Sequence, residues 1–245
     1  MLALALLFSP YAPASASDIV VSATPENGNQ YKITSALGDF KATDDLWIGT
    51  LAQWKAAGGK VYATGTFFDN GEAIHEDDLI ITNGVVGAVL AVGTRSPWGY
   101  PAGSILDAGT VKRVNGKIEA NRDTIWSVEF LVNGWDGWAP ENCGQVVFDL
   151  VKYDFKAKAE TDGADTIDAV KVSRKYVVGG HDFDVVTYYG IAPGADTVFM
   201  FDSLANLGGE TRTLSNRFAL TNKGADGGAR KAIHPKKANG RYGHK

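Results

Sequence analysis

The sequence predicts an all-β protein, an antiparallel β-sandwich or jelly roll, with a barrel as the alternative closure. Three observations carry that prediction. Apolar residues recur at every second position through much of the chain, the period of a strand with one buried face. Gly-, Asn- and Asp-containing turns punctuate these runs. No stretch sustains the 3.6-residue period of a long amphipathic helix. The 29 glycines, set against 8 prolines and lacking any Gly-X-Y repeat, fit a chain of many tight turns.

The elements follow in chain order. Residues 2–8 form a short apolar run, broken by Ser9, Pro10 and Pro13 and followed by Ala14-Ser15-Ala16. This is the apolar region and small-residue cleavage site of a secretory signal peptide, although no Lys or Arg occurs before Lys32. Residues 1–16 are therefore expected to be removed, leaving a mature chain from about Ser17. The run is far shorter than the roughly 20 residues a transmembrane helix needs, and no later segment qualifies. Export is the expectation: periplasm, cell surface or extracellular medium, with a thylakoid lumen as the alternative.

Leu46 to Ala57 reads as partly helical, with Trp47 and Trp54 expected in the protein core, and Lys60 to Phe68 as a strand. Leu79 to Val92 is apolar nearly throughout except at Asn83-Gly84, a two-residue hairpin signal, and Asn115-Gly116 marks a second hairpin. Thr124 to Val132 alternates cleanly, with Trp126, Val128, Phe130 and Val132 on one face. From Val151 to Glu160 the apolar set Val151, Tyr153, Phe155, Ala157 and Ala159 opposes Lys152, Asp154, Lys156, Lys158 and Glu160. Ala169 to Val178, Phe183 to Ile191, Thr197 to Phe201 and Thr211 to Leu220 complete about a dozen strands. Residues 17–222 read as one domain; the polar stretch at 161–166 is either a subdivision or a long hairpin turn inside one sheet.

The chain carries a formal net charge of -4, unevenly distributed. Residues 223–245 hold seven Lys or Arg against the single acid Asp226, a surplus of +6, so residues 1–222 carry -10. Few apolar residues lie in this terminal segment, which reads as a flexible basic tail. Arg230, Lys231, Lys236, Lys237 and Arg241 are its candidate contacts to an acidic partner such as another subunit. Export, and the lack of aromatic residues interleaved with basic ones on a strand face, argue against nucleic acid.

Catalytic signatures are missing: there is no Gly-x-Ser-x-Gly, P-loop, His-Glu-x-x-His or Cys-x-x-Cys. The lone Cys143 forms no intramolecular disulfide, and only a nearby base such as His181 would make it a nucleophile. Of the four histidines, His234 and His244 lie in the tail and His75 in an acidic loop. That loop, Asp69 to Asp78, offers Asp69, Glu72, Glu76, Asp77 and Asp78 as oxygen ligands for calcium, without EF-hand spacing. Asp162, Asp165 and Asp168 form a weaker acidic turn. A glycosidase pair would draw on Glu129, Asp136, Glu141 and Asp149, among which spacing selects none.

Two Gly/Pro-rich aromatic loops carry more information. Arg95 to Pro101 contains Trp98 and Tyr100; Asn133 to Pro140 contains Trp135, Asp136 and Trp138. Indole rings in turns, flanked by polar groups, suit stacking on sugars, and equally suit closing the ends of a sandwich or contacting a subunit. The expected function is non-catalytic, in binding or assembly. Its partner is a glycan bound by Trp98, Tyr100, Trp135, Asp136 and Trp138, or a further subunit in a homo- or hetero-oligomer. A calcium-dependent polysaccharide hydrolase or lyase is the catalytic alternative.

Overall fold

The computed structural model describes residues 18–25, 31–35, 41–42, 46–56, 74–93, 102–115, 117–125, 127–132, 143–154, 166–178, 181–211 and 216–221. Their elements are β1 (Asp18–Pro25), β2 (Tyr31–Ser35), β3 (Lys41–Ala42), β4 (Trp47–Thr50), α1 (Leu51–Ala56), β5 (Leu79–Thr82), β6 (Val86–Leu90) and β7 (Ile105–Val114). They continue with β8 (Lys117–Ile125), β9 (Ser127–Val132), β10 (Cys143–Asp154), β11 (Thr166–Val178), β12 (His181–Gly190), β13 (Phe199–Asn206) and β14 (Asn216–Thr221). The expected strand Lys60 to Phe68, the expected signal peptide and the basic tail lie outside the described residues.

All pairings are antiparallel, and they build two sheets. One has six strands in the order β13-β12-β11-β10-β1-β2. The other has eight, in the order β14-β9-β7-β6-β5-β4-β3 with β8 also on β7. β8 lines the distal half of β7 from Ala108 to Val114, and β9 takes over the same side at Ile105 and Val128. The sheets form a sandwich and are not closed into a barrel. No helix among the described residues is long and apolar enough to cross a membrane.

One core lies between the sheets. Val146, Phe148, Val170, Val172, Phe183 and Val185 of the six-stranded sheet meet Ile48, Leu79, Ile81, Ala88 and Leu90 of the other, all at most 1% exposed. Each such side chain contributes about 1.5–3 kcal/mol on burial. A smaller core fills the outer side of the eight-stranded sheet, where α1 sets Leu51 and Trp54 on Ile80 and Val89, with Trp47 at its margin.

Local chemistry fixes the turns. Gly84 (φ 86) is the only positive-φ residue of its turn, the pattern of a II′ rather than an I′ hairpin, so the bend sits one residue later than Asn83-Gly84 implies. The Asn83 side chain accepts the amides of Val85 and Val86 and donates to the carbonyls of Ala192 at 2.8 Å and Ala195 at 2.9 Å. A hairpin of one sheet is thereby tied to a loop of the other. At the second hairpin, Asn115 takes φ 51 directly after Val114 pairs Lys117.

Where the expected elements shift, the reason is local. Leu46 to Ala57 divides into β4 and a six-residue helix, because Thr50 and Gln53 form a reciprocal capping box: the Thr50 amide reaches Gln53 Oε1 at 2.8 Å and the Gln53 amide reaches Thr50 Oγ1 at 3.2 Å. β13 starts two residues after Thr197 and runs on to Asn206, carried by unbroken pairing with β12.

The turn before β7 comes close to β11 at Gly103. It has φ +82, and a Cβ there would lie 2.6 Å from Cγ1 of Val172. Gly103→Ala therefore meets both a left-handed backbone penalty and a clash with β11. We expect it to cost about 2–4 kcal/mol by denaturant unfolding, whereas Gly194→Ala, with positive φ but open space around its Cβ, loses only the conformational part.

Candidate functional site

Two groupings of chemically capable side chains emerge, one outside the six-stranded sheet and one between the sheets. The outer one follows from alternation along β10. Val146, Phe148 and Leu150 face the core, so Asp149, Val151 and Tyr153 face away from it. Register carries the same face across the sheet: Asp149 pairs Lys171, which pairs Tyr188, which pairs Phe201; Val151 pairs Ala169, which pairs Gly190, which pairs Phe199.

The small residues of that second row make room above them. Tyr153 and Tyr188, two strands apart, meet with ring centroids 3.8 Å apart and planes 16° apart, and Phe201 follows at 6.0 Å from Tyr153. Val151, Ile167 and Ala169 are buried beneath, while Tyr153, Tyr188, Phe199 and Phe201 stay half-buried. The result is an aromatic cluster on the outside of a sheet, running from β10 to β13, the edge strand among the described residues.

Beside it, Asp149 Oδ2 lies 3.9 Å from Lys171 Nζ, and Oδ1 is buried without a hydrogen-bond partner. Burial raises the Asp149 carboxyl above its ordinary value, with Lys171 opposing.

The inner grouping centres on Arg174, fully buried on β11. Its guanidinium donates to the Ala102 carbonyl at 3.0 Å and to the Thr187 hydroxyl, which donates in turn to Asp202 Oδ1 at 2.5 Å. Asp202 lies 3.9 Å from the guanidinium, and the Tyr176 ring is beneath it at 5.9 Å. Tyr189 donates to the Gly103 carbonyl at 2.6 Å. Burial raises the Asp202 carboxyl, with Thr187 and Arg174 opposing, and it raises the Tyr189 phenol as well. A buried, charge-paired network of this kind is structural chemistry: it holds a cation in the interior.

Neither grouping was selected in the sequence, yet both left a signal there. Arg174 falls on the apolar phase of its strand with Val170, Val172 and Tyr176; Asp202 falls in phase with Met200 and Leu204, and Thr187 with Val185 and Tyr189. Three polar residues on the apolar phase of neighbouring strands mark a buried network. The outer cluster is the apolar face read from Val151 and Tyr153, which belongs to the outside of the sheet.

The aromatic-loop residues Trp98, Tyr100, Trp135, Asp136 and Trp138 lie outside the described residues, as do Asp69 and Glu72, the tail residues Arg230, Lys231, Lys236, Lys237 and Arg241, and Asp162 and Asp165. Residues 74–78 of the acidic loop are described, and they serve α1. The Asp78 and Glu76 carbonyls accept the amides of Leu51 and Ala52 at 2.9 Å, satisfying donors of the first helical turn. The buried Asp78 carboxylate accepts the amides of His75 at 2.7 Å and Val92 at 2.9 Å. Glu76 pairs with Lys55 at 2.5 Å, and Asp77 is exposed. Among the described residues no group of three or more His, Cys, Asp or Glu is placed to hold a metal ion.

Asp168 is buried against Lys152 at 2.8 Å. Cys143 and His181 sit on strands separated by β11, and Glu129 and Asp149 lie in different sheets. Comparison with protein-family models, curated proteins and solved structures finds no match to the chain.

Two outcomes follow. Arg174→Leu strands Asp202 in the interior and should cost about 3–5 kcal/mol in unfolding free energy; the double variant Arg174→Leu/Asp202→Leu should recover part of it. For Asp149, a raised folded pKa means stability that is fully present below the ordinary value of 3.8 and lost as pH rises through the folded value. The difference in Tm between wild type and Asp149→Asn should accordingly move in favour of wild type as pH is lowered from about 7 to 4.

Proposed function

We propose that this chain is a non-catalytic binding or assembly protein of an exported compartment, such as a periplasm, cell surface or extracellular medium, with a thylakoid lumen as the alternative. The contact surface is the outer face of the six-stranded sheet around Tyr153, Tyr188, Phe199 and Phe201. The observation that supports this reading is their placement: the rings lie outside the inter-sheet core and stay half-buried. Clustered aromatic surface of this sort is the usual mark of a contact site. The neighbouring Asp149 and Lys171 add polar groups on the same face, the mixture by which proteins hold sugar rings. Trp98, Tyr100, Trp135, Asp136 and Trp138 extend the same chemistry in the sequence, which favours a glycan as ligand.

Export is supported by the apolar run and Ala14-Ser15-Ala16. β1 starts at Asp18, so cleavage after Ala16 leaves the strand that joins β10 to β2 whole.

A second reading, a subunit docked through residues 223–245, draws on the position of β14. It is an edge strand of the eight-stranded sheet among the described residues, and residues 222–245 follow directly from it. A segment of +6 beginning at a sheet edge is placed to reach a neighbour's acidic body, in a contact that salt weakens.

The glycan reading is tested by co-sedimentation with insoluble cellulose, chitin and peptidoglycan. Retention on at least one is expected, reduced at least tenfold by Tyr188→Ala, with Tm within a few degrees of wild type. Retention on none, or a variant that binds as wild type does, removes the glycan from this face.

A further inference from the structure

We infer that Asp149 and Lys171 hold one hydroxyl group of an uncharged sugar between them, and that the glycan lies across the strands from β10 towards β13. This deepens the glycan reading of the outer face and rests on it. The two residues oppose each other directly across β10 and β11, yet Asp149 Oδ2 and Lys171 Nζ stand 3.9 Å apart. That gap is too wide for a direct hydrogen bond, which spans about 2.7–3.2 Å. Neither side chain has another ion-pair or hydrogen-bond partner among the described residues. The Asp149 side chain is nevertheless only 9% exposed, and its Oδ1 is fully enclosed. A carboxylate buried without donors is costly, and such groups are as a rule satisfied.

One oxygen atom fits the gap. Placed about 2.8 Å from both Oδ2 and Nζ, it sees them at an angle of roughly 90°. A carboxylate only accepts and an ammonium only donates, so the atom between them must donate to one and accept from the other. A hydroxyl oxygen does both; the carboxylate or ammonium of a charged ligand does not. The pair is neutral as a whole, so a net charge on the ligand gains nothing there.

Lys171 is the open side of this subsite, with a quarter of its side chain exposed. From it the row continues: Lys171 opposes Tyr188, and Tyr188 opposes Phe201. Four strands thus present a carboxylate, an ammonium, a phenol and a phenyl ring in line, over about 14 Å at the usual strand spacing. Shorter side chains flank the row, Ala169 and Gly190 on one side and Ser173 and Val186 on the other. The line is polar at β10 and aromatic at β13. It suits a sugar chain held by a hydroxyl at one end and by its apolar ring face at the other.

The test is co-sedimentation with cellulose and chitin, and with peptidoglycan as a charged matrix, at about 0.05 and 0.5 M NaCl. Retention on cellulose or chitin is expected at both salts, because no net charge is recognised. Lys171→Met keeps an aliphatic stem and removes the donor; Asp149→Asn keeps the shape and removes the charge. Each should lower retention about tenfold while preserving a cooperative thermal transition. Lys175→Met removes a charge from the same face of β11 and should bind as wild type does. If Asp149→Asn does not fold, Lys171→Met decides the question. Wild type retained on a neutral matrix while a folded Asp149 or Lys171 variant binds equally well, as when water alone fills the gap, overturns the shared hydroxyl and leaves the glycan reading standing. So does retention confined to peptidoglycan or abolished by salt. An equal loss with Lys175→Met reduces the effect to long-range charge and overturns it too. Retention on no matrix removes the glycan reading and this inference together.

Discussion

A guanidinium buried between two sheets constrains everything around it. Water does not solvate Arg174, so protein groups must, and each comes from a different part of the chain: the Ala102 carbonyl from the turn before β7, the Thr187 hydroxyl from β12 and the Asp202 carboxylate from β13. Leaving such a charge uncompensated costs several kcal/mol. The turn must therefore come down onto β11, and the closeness of that approach is why position 103 has no side chain. The Tyr189 hydroxyl on the Gly103 carbonyl and the Asn83 amide on the carbonyls of Ala192 and Ala195 complete the cross-links. An apolar core holds two sheets together but leaves them free to slide. These directional contacts select one alignment.

The same sheet shows two chemistries on its two faces. Inside, charged groups are few, and Arg174 faces Asp202. Outside, the paired small residues Ala169 and Gly190 open a shallow floor over which rings from two strands lean together. Were those positions large, the rings would be held apart and the outer surface would be an ordinary mosaic. The proposed contact surface is in this sense made by its smallest residues, and it reaches the sheet edge through Phe199 and Phe201.

Much of this architecture was legible in the sequence, because period-two alternation and Asn-Gly turns are local signals. The β7–β8 hairpin lies where its signal puts it, the β5–β6 bend falls one residue later, and the strands expected from Ala169 and Phe183 begin three and two residues earlier. Two things were not legible for physical reasons. Alternation shows that a strand has two faces without showing which is inside: β10 buries Val146 and Phe148 on one and carries Val151 and Tyr153 on the other. Local pattern also says nothing of partners distant in sequence: the Glu76 and Asp78 carbonyls cap a helix some twenty-five residues earlier, which the run of acids does not announce. Arg174 carried its own clue, a charge on the apolar phase of its strand, intelligible only once Asp202 and Thr187 fall on theirs.

The position of β1 has a consequence for how the molecule comes together. It pairs with β10, Asp18 against Leu150, while nearly every other neighbour in either sheet is a hairpin partner or close to one. Closing so long a loop is slow compared with forming the successive hairpins of the eight-stranded sheet. β1 must therefore wait, paired at most with β2, until β10 has appeared. The N-terminal hairpin thus joins its sheet across the longest chain separation that sheet contains.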